Sequence, residues 1–426
     1  MSVLVWIRRD LRVQDHPALA LAATMGAVLP LFVVEPAAWA APDRSARQWE
    51  FVAESLAELR ETLGTLGAPL VVRVGAAEIV LERLCKTQGI TQIVSILETG
   101  GVAEAARDAR VAAWARAAGI EWTQVAAGAA AVAALVPVAG VEPGLIPTAR
   151  ALRLAEDRAA HRQMGGRARG EAVLASFLTT RGRAYRAERD LTGAGERAGS
   201  RLSPYLAWGV LGAGEVAAAA AVRRAERPGP GWGKSLSAFS AALALREAKA
   251  GEVPGHGVSE PERLAAWAAG ETGVPFVDAA MRYLAATGWL NARMRAMVAG
   301  FALHHLGLGT GAVGEALARL SVDYAPEIHW RALGEVAEAR AVDPLRLATM
   351  LDADNGFTRA WLPELARVPE TLVQTPWRWS GAKGLLGRRY PEALVDPIAA
   401  LKARRVGTER KGRRGIVVAG QMSLML

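Results

Sequence analysis

A chain of 426 residues, 51% hydrophobic and with a mean hydropathy of +0.15, can bury a large core and should divide into two or three domains. No run of about 18 apolar residues reads as a membrane span, and one cysteine, Cys85, excludes an intrachain disulfide or a cysteine-ligated iron–sulfur cluster. The net charge of +9, carried almost wholly by arginine, favours nucleic acid as a partner, because neutralised phosphates release counterions.

Residues 1–10 place charges where a signal peptide needs its apolar centre, so a cytoplasmic protein is expected. Over residues 1–130, short apolar runs alternate with amphipathic stretches. The runs 3–7, 28–34, 70–74 and 93–97 predict parallel strands buried on both faces, and 46–63, 77–88 and 103–118 carry helical periodicity. Such alternation predicts a doubly wound parallel α/β domain. Residues 131–165, rich in Ala, Val, Gly and Pro, suit a linker. From 166 to 400 strand patterns vanish and a helical domain is expected. Residues 401–426 form a basic tail, whose 402–414 run holds seven basic residues and one acid. A solvated tail is the simpler reading of that run, and a DNA-contacting arm the second.

After the first strand comes no Gly-rich dinucleotide fingerprint but Arg8-Arg9-Asp10-Leu11-Arg12, followed by Asp15-His16-Pro17-Ala18-Leu19. Further on, Ser200-Arg201-Leu202-Ser203-Pro204 sets hydroxyls and free backbone N–H groups where a helix begins, which suits an anion. Ser203 before Pro204 also reads as an ordinary helix N-cap. The most informative stretch is 271–295. There Thr272-Gly273-Val274-Pro275 opens a helix, Thr287-Gly288-Trp289 follows, and Arg293 and Arg295 offer two inward-capable cations. Gly309-x-Gly311-x-x-Gly314 spells a dinucleotide fingerprint, but no strand precedes it, and it reads as a helix–helix turn.

These blocks, with Arg246-Glu247, the stretch from Gly356 to Leu365, and Tyr390-Pro391…Val395-Asp396, resemble in order the motifs of the photolyase/cryptochrome family. The resemblance implies FAD enclosed between helices. Its phosphates would lie near Tyr185, Gly199, Ser200, Arg201, Leu202 and Ser203, with Phe239, Arg246, Trp289, Arg293 and Arg295 around the cofactor. Asp323 stands where the family pairs a carboxylate with the second arginine beside the flavin ring. The family's second flavin carboxylate falls at Ala325. His329 stands where common photolyases carry the asparagine facing flavin N5, and histidine ordinarily titrates near neutral pH. Arg295, Asp323 and His329 are therefore the candidate catalytic set, and Arg293 and Lys249 the candidate DNA contacts. An antenna chromophore in the amino-terminal domain stays open.

The family's lesion pocket is largely replaced. Its glutamate and tryptophan fall at Ala242 and Leu245, and its lesion-contacting asparagine and methionine at Ala292 and Ala296. A flipped pyrimidine dimer needs polar partners and an aromatic wall, and these side chains supply neither. Of the three tryptophans that carry the family's photoreduction, two fall at Leu333 and Thr310 and the third near His256, leaving a route through Trp330 or Trp289 open. His304 and His305 read as packing. Three readings follow: a blue-light-responsive flavoprotein or photoreceptor with a signalling partner and weakened or altered repair; a DNA photolyase with a rearranged pocket; and a scaffold without light-driven activity.

Overall fold

The four apolar runs form four neighbouring strands of a parallel five-stranded sheet in the computed structural model, which describes residues 1–98, 101–157, 159–247 and 260–402. The strands β1 (Ser2–Ile7), β2 (Ala27–Val34), β3 (Val71–Val74) and β4 (Gln92–Ile96) lie within one residue of the expected bounds. A fifth, β5 (Glu121–Val125), was not expected. The strand order is β3-β2-β1-β4-β5, with every pairing parallel. Successive β1 side chains face opposite ways. Val3, Val5 and Ile7 pack with α1 (Pro17–Met25) and α3 (Ala46–Thr65), which follows the short α2 (Pro36–Trp39). Leu4 and Trp6 pack with α4 (Ala77–Gln88) and α5 (Val102–Ala118). Both faces are covered, as a doubly wound sheet requires.

The Arg-rich block after β1 builds architecture. The His16 imidazole accepts from the Leu19 N–H and so caps α1, while Arg12 donates to the carbonyls of Gln14, Asp15 and Gly209. The linker runs along the sheet edge: Val28 N–H donates to Val136 O, and Val72 N–H donates to Pro143 O, each at 2.7 Å.

The rest is helical. It comprises α6 (Arg167–Thr179), α7 (Tyr185–Glu188), α8 (Ala194–Ala198), α9 (Ser203–Ala207), α10 (Ala213–Ala225) and α11 (Trp232–Glu247). After residue 260 come α12 (Pro261–Ala269), α13 (Pro275–Thr287), α14 (Ala292–His304), α15 (Thr310–Leu320) and α16 (Pro326–Glu338). The last two are α17 (Pro344–Leu351) and α18 (Gly356–Trp361). The start of α13 is knotted by Asp278, whose buried carboxylate accepts from Thr272 N–H, Thr272 Oγ1, Gly273 N–H and Tyr390 Oη. The glycine triplet is not the turn that its letters predicted. Gly309 precedes α15, and Gly311 and Gly314 lie inside it, where a Cβ on Gly314 would overlap the Trp330 ring of α16. Close helix packing, not phosphate binding, accounts for Gly314.

Long polar side chains of α3 cross the domain seam. Arg47 grips Asp157 and donates to the carbonyls of Leu284 and Leu320, while Gln48 donates to those of Ala318 and Ser321. Among the described residues, no helix is long and apolar enough to cross a membrane, and no group of acidic, His or Cys side chains is arranged to hold a metal ion.

Candidate functional site

Two lobes of a cavity open among the helices and meet at Ala292, which lines both. The smaller lies between α14, α15 and α16 and has mostly small apolar walls: Ala292, Ala296, Ala299, Ala332 and Leu333. Its polar groups are Arg246, Arg295, Asp323 and His329. The larger is bounded by Tyr185, Ser200, Arg201, Ser203, Trp289 and Asn291.

Helical spacing selects which side chains of α14 reach the smaller lobe. Ala292, Arg295, Ala296 and Ala299 share one face. Arg293, a single residue further round than Ala292, is exposed and lines neither lobe, so the paired-arginine expectation keeps only Arg295. Arg295 Nη2 donates to both oxygens of Asp323, at 2.9 and 3.0 Å. The carboxylate side chain is only 3% exposed and the guanidinium 23%, so this is a semi-buried pair aimed at the cavity. Ala325, just ahead of α16, also lines the lobe but offers no side-chain acceptor.

His329 lies on the wall of this lobe. Burial, then the positive charge of Arg295, pulls its pKa down to about 4, against weaker opposition from Gly314 O, Asp323 and Asp43. Its Nε2–H donates to the Gly314 carbonyl at 2.9 Å. The ring is therefore neutral at pH 7, with its lone pair on Nδ1. Titration near neutral pH, which histidine usually shows, does not apply here.

In the larger lobe the hydroxyls of Tyr185 and Ser203 are buried without a hydrogen-bond partner. Ser203 is not the N-cap expected of it. Leu202 precedes the helix and Ser203 is its first residue, so its Oγ is not engaged in capping. Buried orphan hydroxyls cost free energy unless something answers them. Arg201, held at φ +59°, stacks its guanidinium on Trp289 at 4.1 Å and donates to Tyr283 Oη. Gly199 and Ser200 line the same wall, whereas Leu202 and Phe239 are fully buried behind it, Phe239 edge-on to Tyr185. An apolar lobe with one ion pair beside a lobe of hydroxyls and arginine fits a flat ring joined to phosphates. Arg189, Asp190 and Asn291 also border the larger lobe and were not read from sequence. Asn291 carried a signal, since it caps α14 by accepting from Met294 N–H. Lys249 and His256 lie outside the described residues, as does the tail beyond 402.

Comparison with known proteins agrees with this architecture. Residues 3–136 match the DNA photolyase model, and residues 237–408 match the FAD binding domain of DNA photolyase. The chain belongs to the photolyase/cryptochrome family. FAD is the cofactor of that domain. Among its photolyase/cryptochrome relatives is a Cryptochrome DASH of Natronomonas pharaonis, 29% identical over 93% of this chain and 98% of its own. The deoxyribodipyrimidine photo-lyase of Escherichia coli is also 29% identical, over 95% of this chain and 99% of its own. The crystal structure of a Synechocystis cryptochrome superposes with a TM-score of 0.83 at 22% identity, covering 95% of this chain and 98% of that one.

Proposed function

We propose that this protein is a blue-light-responsive flavoprotein whose main activity is light-driven electron transfer rather than pyrimidine-dimer repair. Bound FAD would supply a blue-absorbing, electron-accepting ring. Arg295, Asp323 and His329 would border that ring, with Arg246 beside them. Tyr185, Gly199, Ser200, Arg201, Ser203 and Trp289 would hold the phosphates and the adenosine half. Arg295 favours negative charge gathering at the ring edge, and Asp323 fixes the guanidinium in place. A neutral His329 can accept a hydrogen bond at Nδ1, while its one N–H is already committed to the Gly314 carbonyl.

The observation that carries this reading is the contrast between charge and wall within the joined lobes. The Arg295–Asp323 pair remains at hydrogen-bond distance, while Ala242, Leu245 and Ala292, the positions that meet a lesion in the family's repair enzymes, offer neither a polar nor an aromatic partner. DNA repair remains the second reading, supported by the net charge of +9 and the exposed Arg293. The test is the absorption spectrum of the purified protein before and after blue light with a thiol reductant, run beside DNA carrying pyrimidine dimers. Flavin absorption that bleaches while the dimers persist supports the proposal. Light-dependent dimer loss would replace it with repair, and a colourless protein that takes up no FAD would leave only a scaffold.

A further inference from the structure

Behind His329 the chain places two aromatic rings that the site does not otherwise use. Tyr324 and Trp330 each meet the imidazole edge-on with ring centroids 5.2 Å away. Trp330 Nε1–H donates to Tyr324 Oη at 3.2 Å. Tyr324 Oη–H in turn donates to Asp43 Oδ2 at 2.6 Å, across the domain seam. The phenol is almost wholly buried, and burial together with the Asp43 carboxylate raises its pKa. Arg44 lies over the same ring at 5.3 Å and over Trp39 at 5.9 Å.

A buried phenol is a poor one-electron donor unless its proton has somewhere to go, because the oxidised ring is strongly acidic. A carboxylate already hydrogen-bonded to the hydroxyl removes that obstacle. Of the five tyrosines, Tyr185 has an orphan hydroxyl, Tyr205 donates to a backbone carbonyl, and Tyr283 receives a bond from Arg201. Tyr390 does face a carboxylate, but Asp278 is already occupied by three other donors at the start of α13. Tyr324 alone among them combines a carboxylate acceptor with contact to a ring that lines the cavity.

We propose that Tyr324 is the redox-active residue of this protein and that Asp43 is its proton acceptor. The inference rests on the flavin reading above and deepens it. With FAD bound, its excited oxidised ring would accept one electron from the Tyr324 ring. The Oη–H bond breaks and its proton joins Asp43 Oδ2, leaving a neutral phenoxyl radical. One electron from a soluble thiolate and the proton returned by Asp43 restore the phenol. Trp330 can feed the same hole, since its indole N–H already touches Tyr324 Oη.

Two measurements test this. In the FAD-loaded protein, blue light should produce a tyrosyl signal by electron paramagnetic resonance that narrows with ring-deuterated tyrosine, forms more slowly in D2O, and is absent in Tyr324→Phe. Asp43→Asn should lower its yield by about tenfold, the scale of one charge-assisted hydrogen bond, and abolish the D2O effect. In the FAD-free protein, 13Cζ-tyrosine NMR should show one resonance that is missing in Tyr324→Phe and displaced in Asp43→Asn, which checks the pairing without flavin. An unchanged radical in Tyr324→Phe, or no tyrosyl radical in a wild-type protein whose flavin content is verified, overturns the proposal. An undisplaced resonance overturns the role of Asp43. Failure to load FAD at all instead overturns the flavin reading, and the two failures are thereby distinguished.

Discussion

His329 shows how burial, reinforced by a neighbouring charge, can remove a residue from its usual chemistry. Its imidazole binds a proton only near pH 4 in the fold and near 6.5 when unfolded, so the unfolded chain holds more protons between those values. Stability therefore falls as pH drops from about 6.5 to about 4, by a total of about 3 kcal/mol. Asp278 works in the opposite sense. Burial raises it to about 6 despite its four donors, so below pH 6 its folded form takes up the proton first and stability is gained as pH falls. The wild-type profile is a sum of both, and only a difference isolates one. Denaturant titrations of wild type and His329→Asn from pH 7 to 4 should converge as pH falls, and parallel curves would refute the shift. At the adjacent pair, Asp323→Asn leaves Arg295 without its counter-charge. Because the guanidinium is partly solvated, the expected loss is about 1–3 kcal/mol rather than the larger cost of a fully buried pair. It should appear in denaturant titration together with lower flavin content per chain.

Elements rest on patterns that sequence displays unevenly. The strands β1 and β2 were readable because both faces are buried and the runs are almost continuously apolar, and β3 and β4 because each keeps buried apolar residues at its centre or start. The edge strand β5 was not, since Glu121 and Gln124 are exposed and no residue of it is fully buried. Arg295, Asp323 and the serine block were legible as motifs because each lies in a short local stretch. Tyr324 with Asp43, and Gly314 under Trp330, were not, because each partner lies on another element. The helix pair α15–α16 makes the point testable. Helix propensity alone would make Gly314→Ala stabilising by about 1 kcal/mol. The Trp330 ring leaves no room for the methyl group, so we expect a net destabilisation of about 1–3 kcal/mol from overpacking. Since His329 and Leu317 are carried by these two helices, flavin retention should fall with it. Denaturant titration and the flavin absorbance after desalting measure both effects. A variant that melts later than wild type would show that the two helices can part without cost.

At the scale of the whole molecule, the two lobes are held by a domain that contributes none of the residues named on their walls. The α/β domain reaches the helical one through arginines whose donors end on carbonyls: Arg9 on Ala207 and Tyr324, Arg12 on Gly209, and Arg47 on Leu284 and Leu320. These carbonyls sit in the last turns of helices and in loops, where C=O groups have acceptor capacity to spare. Arg47 is the most heavily engaged, since it also grips Asp157 through two donors at 2.6 and 2.7 Å. Removing it strands a semi-buried carboxylate and takes a donor from two carbonyls at once. Arg47→Ala should therefore cost about 3–5 kcal/mol, whereas a surface arginine would cost within about 0.5. Arg47→Lys keeps the charge but cannot serve four acceptors, and it should fall between the two. The seam also couples the halves, so wild type should unfold in a single transition by calorimetry and Arg47→Ala in two, with the flavin released in the first. One unbroken transition in Arg47→Ala, at the wild-type temperature, would mean that the apolar contacts hold the domains together and the arginine only decorates the boundary.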